Sequence, residues 1–103
     1  MFLSCRVAWD QLLKEASEHV RRARYDKAID LYRTVLSTDP NAAAVRFRLA
    51  EAYRLDKNLE RAFHHYSKAA AHYEKVGDQL NALKMLKHAN TVQPNQPDIL
   101  HRS

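Results

Sequence analysis

YDKAIDLYRTVLSTDP, residues 25–40, reads as a short helix that announces its own end. Apolar or small residues fall at Tyr25, Ala28, Ile29, Tyr32, Val35 and Leu36, three and four apart, so they form one stripe of a helix. Asp26, Lys27, Asp30, Arg33 and Thr34 fall on the opposite face and point to water. Asp39-Pro40-Asn41 stops the helix, because the residue before a proline is pushed out of the helical region. A single stripe of this width cannot fold alone and needs a partner on each side.

The flanking sequence supplies such partners. A first helix is expected over residues 4–22, with Val7, Ala8, Leu12, Ala16, His19, Val20 and Ala23 towards its buried side and Trp9 and Leu13 at the margins. Only Ala23-Arg24 separates it from the second, which forces an antiparallel hairpin. Asn41 is the expected N-cap of a third helix over 42–55, buried along Val45, Leu49, Ala52 and Tyr53. Asp56-Lys57-Asn58 turns the chain, with Asn58 expected in the left-handed position. A fourth helix, 59–76, carries a stripe of Leu59, Ala62, Phe63, Tyr66, Ala69, Ala70, Tyr73 and Val76. Gly77, the sole glycine, closes it. Asp78 then caps a fifth helix striped by Ala82, Leu83, Leu86, Ala89 and Asn90. Pro97 opens what reads as the start of a sixth helix over 97–103.

The chain also repeats itself. Tyr25-Asp26-Lys27-Ala28 with Tyr32 and Leu36 recurs thirty-four residues on as Leu59-Glu60-Arg61-Ala62 with Tyr66 and Ala70. This period and pattern resemble the tetratricopeptide repeat, a helix–turn–helix unit reading W-x2-L-G-x2-Y…A-x3-F…P. Ala28, Tyr32 and Pro40 match A-x3-F…P in one unit, and Leu49, Ala50, Tyr53, Ala62 and Tyr66 match L-G-x2-Y…A-x3-F in the next, with Ala in the place of Gly. The first half departs from the pattern: Leu12, Glu15 and His19 stand where Trp, Leu and Tyr would be, Trp9 comes three residues early, and Arg46 takes the second tryptophan place. His19 accordingly reads as the replacement for a core tyrosine. A third match, Gly77, Ala82, Leu86 and Pro94, follows Ala62 after only twenty residues. The expectation is therefore units at about 9–42 and 43–76 and a compressed third at 63–96 that shares helix 59–76, which would pack on both its neighbours. The fold expected is all-α: a right-handed array of antiparallel helix hairpins, an α-solenoid of about five helices plus the short C-terminal start. Such arrays bury their faces only against neighbours, so the open end implies a fragment of a longer protein, a cap formed by 97–103, or docking on another copy.

The resemblance implies a non-catalytic scaffold that binds a protein or peptide segment in a concave groove lined by the first helix of each unit. The positions this assigns are Asp10, Leu13, Ser17 and Arg21 on the first helix and Phe47, Glu51, Arg54 and Leu55 on the third. Phe47 beside Arg48 and Arg54 suits a ligand mixing apolar and acidic residues, and the competing reading packs Phe47 against the first helix. The family's carboxylate clamp for chaperone tails is missing, since Leu13, Ser17 and Arg48 occupy its places. A second candidate is a basic ridge of Arg61, His65, Lys68, His72 and Lys75, spaced four, three, four and three apart on one face. Its plain reading is a solvated helix face, and its functional reading an acidic or phosphate site whose charge grows as the two histidines protonate.

Composition narrows the alternatives. Seventeen Lys and Arg against twelve Asp and Glu leave a charge of +5, without a basic tail, so nucleic acid is a secondary reading for a surface that includes Arg21, Arg22, Arg24, Arg46 and Arg48. Six histidines are many for this length, yet His64 and His65 are adjacent and His72 lies seven beyond, not the i, i+4 pairing of a helical zinc site. No metal and no cofactor are implied. Neither a glycine-rich phosphate loop nor a nucleophile elbow is present, which speaks against an enzyme. Cys5 is alone and no apolar run approaches the roughly 20 residues of a membrane span, so a cytoplasmic protein is expected. Its partner would be another protein, with a homodimer as the alternative.

Overall fold

The computed structural model describes residues 2–92, with side chains from Trp9 onward. Five helices follow one another: α1 (Phe2–Arg21), α2 (Tyr25–Thr38), α3 (Ala43–Leu55), α4 (Leu59–Lys75) and α5 (Gln79–Thr91). No strand occurs among the described residues. Each helix packs on the one before it and the one after it, so contact passes along the chain order from α1 to α5. The molecule is an elongated slab of 54 × 33 × 19 Å. Its least dimension is that of two helix layers at the usual interaxial spacing of about 8–10 Å.

The 25–40 stretch behaves as its pattern demands. Ala28, Ile29, Tyr32, Val35 and Leu36 are buried in α2, and α1 and α3 cover them. Val45, Leu49, Ala52 and Tyr53 are buried in α3, joined by Ala43 and Ala50. In α4 the buried residues are Ala62, Tyr66, Ala69 and Ala70, and this helix packs against both α3 and α5 as its two-sided run of small residues requires. Alanine recurs through the interior: Ala16, Ala28, Ala50, Ala52, Ala62 and Ala69 are fully enclosed. Tyr66, Leu49 and Val35 are the largest side chains to be fully enclosed, and burial contributes about 1.5–3 kcal/mol for each aliphatic one. Trp9 reaches across the first hairpin, its Nε1 donating to Thr38 Oγ1 at 3.1 Å.

Three of the four turns share one geometry. After α1, α3 and α4 a single residue takes a positive φ: Ala23 at 59°, Lys57 at 69° and Gly77 at 82°. The next N–H then reaches back five residues, from Arg24 to His19 O, Asn58 to Tyr53 O and Asp78 to Tyr73 O, each 2.8 Å. This left-handed helix ending satisfies carbonyls that would otherwise be orphaned. Five residues past each positive φ stands a buried alanine, Ala28, Ala62 or Ala82. The α4–α5 turn thus repeats the turn of the first two hairpins, while α2–α3 turns differently, through Asp39-Pro40-Asn41, where Asn41 N–H donates to Asp39 Oδ1 at 3.2 Å. At Gly77 the backbone angle is what calls for glycine, since a Cβ there would meet nothing within 4 Å.

Several local expectations are corrected. Ala23 is exposed and carries the left-handed turn instead of joining the buried stripe, because the helix has already ended. Lys57, not Asn58, takes the left-handed position, leaving Asn58 free to cap α4 by accepting from Arg61 N–H at 3.3 Å. Ala42, not Asn41, precedes α3, and no side chain caps it. Asp78 does cap α5, accepting from Asn81 N–H at 3.3 Å. The α4 stripe frays at both ends, where Leu59 and Val76 are exposed. In α5 the buried set is Ala82, Met85 and Ala89, with Val92 buried just past its end, so the helix is rotated from the expected stripe and Leu83, Leu86 and Asn90 are exposed. His19 is half-buried, and its Nδ1 is closed off without a hydrogen-bond partner. The Val7 and Ala8 side chains, and all of 93–103 with Pro94 and the expected sixth-helix start, lie outside the described residues.

Candidate functional site: a face centred on Phe47

Two cavities meet at one side chain. While α3 turns Val45, Leu49, Ala52 and Tyr53 into the core, Phe47 is half-buried and Glu51 lies four residues on from it. Between α1 and α3 a cavity of about 210 Å³ is lined by Ser17, Val20, Phe47, Arg48, Glu51 and Leu55. On the other side of Phe47, between α3 and α5, a larger cavity of about 500 Å³ is lined by Phe47, Tyr73, Lys84, Met85, Lys87 and His88, among others. Its size lies within the range of roughly 300–1,000 Å³ typical of ligand sites.

Phe47 is held in place by rings and not by α1 alone. Its centroid is 5.9 Å from Tyr66 and 5.3 Å from His88, and His88 stacks on Tyr66 at 5.1 Å with 14° between planes. Packing of Phe47 against the first helix was the competing expectation, but its ring partners come from α4 and α5. Beneath them, the Tyr66 hydroxyl donates to Glu51 Oε2 at 3.1 Å and accepts from Arg54 Nε at 3.4 Å. Burial, more than any neighbour, pushes the Tyr66 hydroxyl up to about 12, so it keeps its proton and remains a donor to Glu51. Arg54 completes the triangle, 3.7 Å from Glu51.

This arrangement sorts the expected groove residues. Ser17, Phe47, Glu51 and Leu55 come together on the α1–α3 cavity. Leu13 is half-buried and packs against the core instead. Arg21 turns back along its own helix to Glu18 at 2.7 Å, and that contact holds the Glu18 carboxyl below its usual range. Arg54 is drawn into the Tyr66–Glu51 network. The α5 wall, with Lys84, Lys87 and His88, was not foreseen, because nothing in their sequence spacing distinguishes two lysines of a terminal helix from a solvated face.

The basic ridge is interrupted at its second member. His65 stacks flat on Tyr53, 5.5 Å between centroids and 5° between planes, and its Nδ1 faces Arg46 Nη1 at 3.1 Å. Since a guanidinium can only donate, Nδ1 is the acceptor and the ring proton sits on Nε2. Arg46 also donates from Nη2 to Pro40 O at 3.0 Å, tying the α2–α3 turn to α4. Burial first, then the positive neighbours His64, Arg46, Lys68 and Arg61, hold the His65 imidazole down to about 4. It therefore adds no charge near neutral pH, contrary to the expectation of a ridge that strengthens through two histidines. Arg61, Lys68 and Lys75 are exposed and His72 is half-buried. Among the described residues no group of three His, Cys, Asp or Glu is placed to hold a metal ion, and no helix is long and apolar enough to cross a membrane.

The paired helices, the recurring turn and the alanine contacts define a helical-repeat scaffold. A tetratricopeptide-repeat family model matches residues 13–76, and the chain belongs to that family. A solved structure described as a CopN-Scc3 complex is similar over 86% of this chain, with a TM-score of 0.55 and 18% identity, which shows the shared fold. This chain spans 61% of the length of that one. No curated protein matches the sequence.

Proposed function

We propose that this chain is a non-catalytic adaptor that holds a segment of another protein along the face where α1, α3 and α5 meet at Phe47. The observation that carries this reading is the sharing of Phe47 by two adjoining cavities, its ring fixed from below by Tyr66 and His88. A pre-positioned aromatic between two hollows is what a binding face needs in order to gain affinity without ordering itself first. Ser17, Glu51 and Leu55 complete the contact on the α1 side, with Leu13, Arg21 and Arg54 at its margins. The description of the solved neighbour as a complex agrees with this class of function. In this reading the three units span about 9–42, 43–76 and 63–96, α4 serving two of them; the recurrence of one turn geometry after α1, α3 and α4 supports it. The working compartment is the cytoplasm.

A second reading is self-association through α5, favoured by the exposure of Leu80, Leu83 and Leu86 on one short helix. Binding of acidic partners or nucleic acid to Arg61, Lys68, His72 and Lys75 is the weaker alternative now that His65 is withdrawn from the ridge.

Dodecapeptides selected from a displayed library against the whole chain test the groove. Phe47→Ala and Ser17→Arg are expected to weaken the selected peptides by about tenfold or more, while Arg33→Glu on the exposed side of α2 leaves them unchanged. Circular dichroism separates lost binding from lost fold for Phe47→Ala, and Ser17 is exposed, so that variant folds. Selected peptides that ignore both groove variants would place binding elsewhere.

A further inference from the structure

Lys84, Lys87 and His88 stand three and four residues apart on α5, so consecutive turns of one helix face present them to the larger cavity. The floor opposite them is apolar and aromatic, made by Phe47, Met85 and Tyr73. Among the described residues no carboxylate lines this cavity, and its remaining polar groups, Asn81 and Thr91, are neutral. The α1–α3 cavity differs in that a carboxylate, Glu51, lines it together with Arg48. Carboxylates close by are already engaged: Glu51 accepts from Tyr66 and lies beside Arg54, and Asp78 accepts from both the backbone and the side chain of Asn81. Lys84 and Lys87 are exposed, and among the described residues neither enters an ion pair. The site is thus an apolar hollow with unbalanced positive charge along one rim.

Resting on the groove reading above, we infer that the α3–α5 cavity takes an acidic segment of a partner protein, which seats one large apolar side chain over Phe47 and Met85 and sets carboxylates against Lys84 and Lys87. The floor selects the apolar group. Stacking of His88 on Tyr66 and its contact with Phe47 keep that floor from collapsing when empty. The rim selects the charge, since an acidic ligand there neutralises lysines that form no ion pair among the described residues, whereas a basic one is repelled. A protein segment fits better than nucleic acid: two lysines would release few phosphate counterions, and a hollow of about 500 Å³ is wasted on a phosphate backbone. A second copy of this chain fits poorly as well, because it would bring a further +5 to a positive rim.

The experiment uses the selected dodecapeptides, synthesised with a fluorescent label and titrated by anisotropy against the whole chain and three variants. The double variant Lys84→Glu with Lys87→Glu reverses the rim, Ala44→Trp fills the cavity from an exposed position on the first turn of α3, and Ser17→Arg with Leu55→Arg blocks only the α1 side. All these positions are exposed, and circular dichroism confirms the fold of each. The selected peptides are expected to be rich in Asp and Glu around one large apolar residue. They should bind about tenfold or more weakly to the rim-reversed and the filled variants, and several-fold more weakly on going from about 50 to about 300 mM salt. Peptides lacking acids, or acidic peptides indifferent to rim reversal, overturn the inference. So does a single-stranded oligonucleotide that binds more tightly than the peptides through the same lysines, or a concentration-dependent dimer that rim reversal abolishes. If only the α1-side variant weakens binding, the groove stands and the α5 site falls; if no variant on this face matters, the groove reading itself falls.

Discussion

α3 and α5 are both thirteen residues long, yet the array treats them oppositely. α3 lies between α2 and α4 and buries six residues, Leu49 at 1% exposure among them. α5 is met by α4, and it leaves Leu80 at 69%, Leu83 at 56% and Leu86 at 40% exposed. The difference is not one of apolar content. α5 has apolar residues on two sides and α4 reaches only one of them, so burial in a repeat array belongs to the interface and not to the helix. The same contrast runs through the candidate site: Phe47 stands on the enclosed α3, and the lysines beside the larger hollow stand on the more open α5.

The largest effect is expected on the enclosed side of this contrast. Leu49→Ala, inside α3, should cost about 2–5 kcal/mol in urea unfolding, because an enclosed leucine leaves a cavity that its neighbours cannot close. If Leu49→Ala were nearly neutral, the α2–α3–α4 interior would not be the stable part of the molecule.

Acid sharpens the comparison from the enclosed side. His65 lies in the α3–α4 seam with its imidazole held down to about 4, against about 6.5 in an unfolded chain. Between those values the unfolded state binds a proton that the folded state refuses. Its contribution is therefore fully present above about pH 6.5 and is lost as the pH falls towards 4. With the ring only half-buried, solvent screening leaves about 1–2 kcal/mol of the effect. Urea midpoints at neutral and mildly acidic pH, compared between the wild type and His65→Gln, measure it; parallel losses in the two proteins would assign the acid sensitivity to other groups.

The smallest effect is expected at the open face. Leu83→Ala should change stability by less than about 0.5 kcal/mol, since most of that side chain is already in water. A cost approaching that of Leu49→Ala would mean that α5 is covered in solution. Light scattering over a concentration series then tells whether the cover is a second copy.

Much of this was legible in the residues. The 25–40 stripe follows from spacing alone, the alanine contacts and the two-sided α4 are what the resemblance to the repeat family implied, and Gly77 and Asp78 end one helix and begin the next as their chemistry dictates. The turns at Ala23 and Lys57 were harder to see, because neither residue favours a positive φ, and each holds it at a cost of about 1–2 kcal/mol that the hairpin contacts on either side offset. Within the candidate site, Ser17, Phe47, Glu51 and Leu55 were foreseen as neighbours, whereas Arg21 and Arg54 were expected to face a ligand and instead found partners among Glu18, Glu51 and Tyr66.

The sequence by itself determined five helices, their hairpin order and which stripe of α2 and α3 seeks cover, because periodicity and local stop signals are properties of neighbouring residues. Tertiary structure alone decided the rotation of α5 towards Met85, the withdrawal of His65 onto Tyr53 and the meeting of α3 and α5 at Phe47. Each of these depends on the angle at which one helix crosses another, and that angle is set by side chains distant in the chain packing against one another.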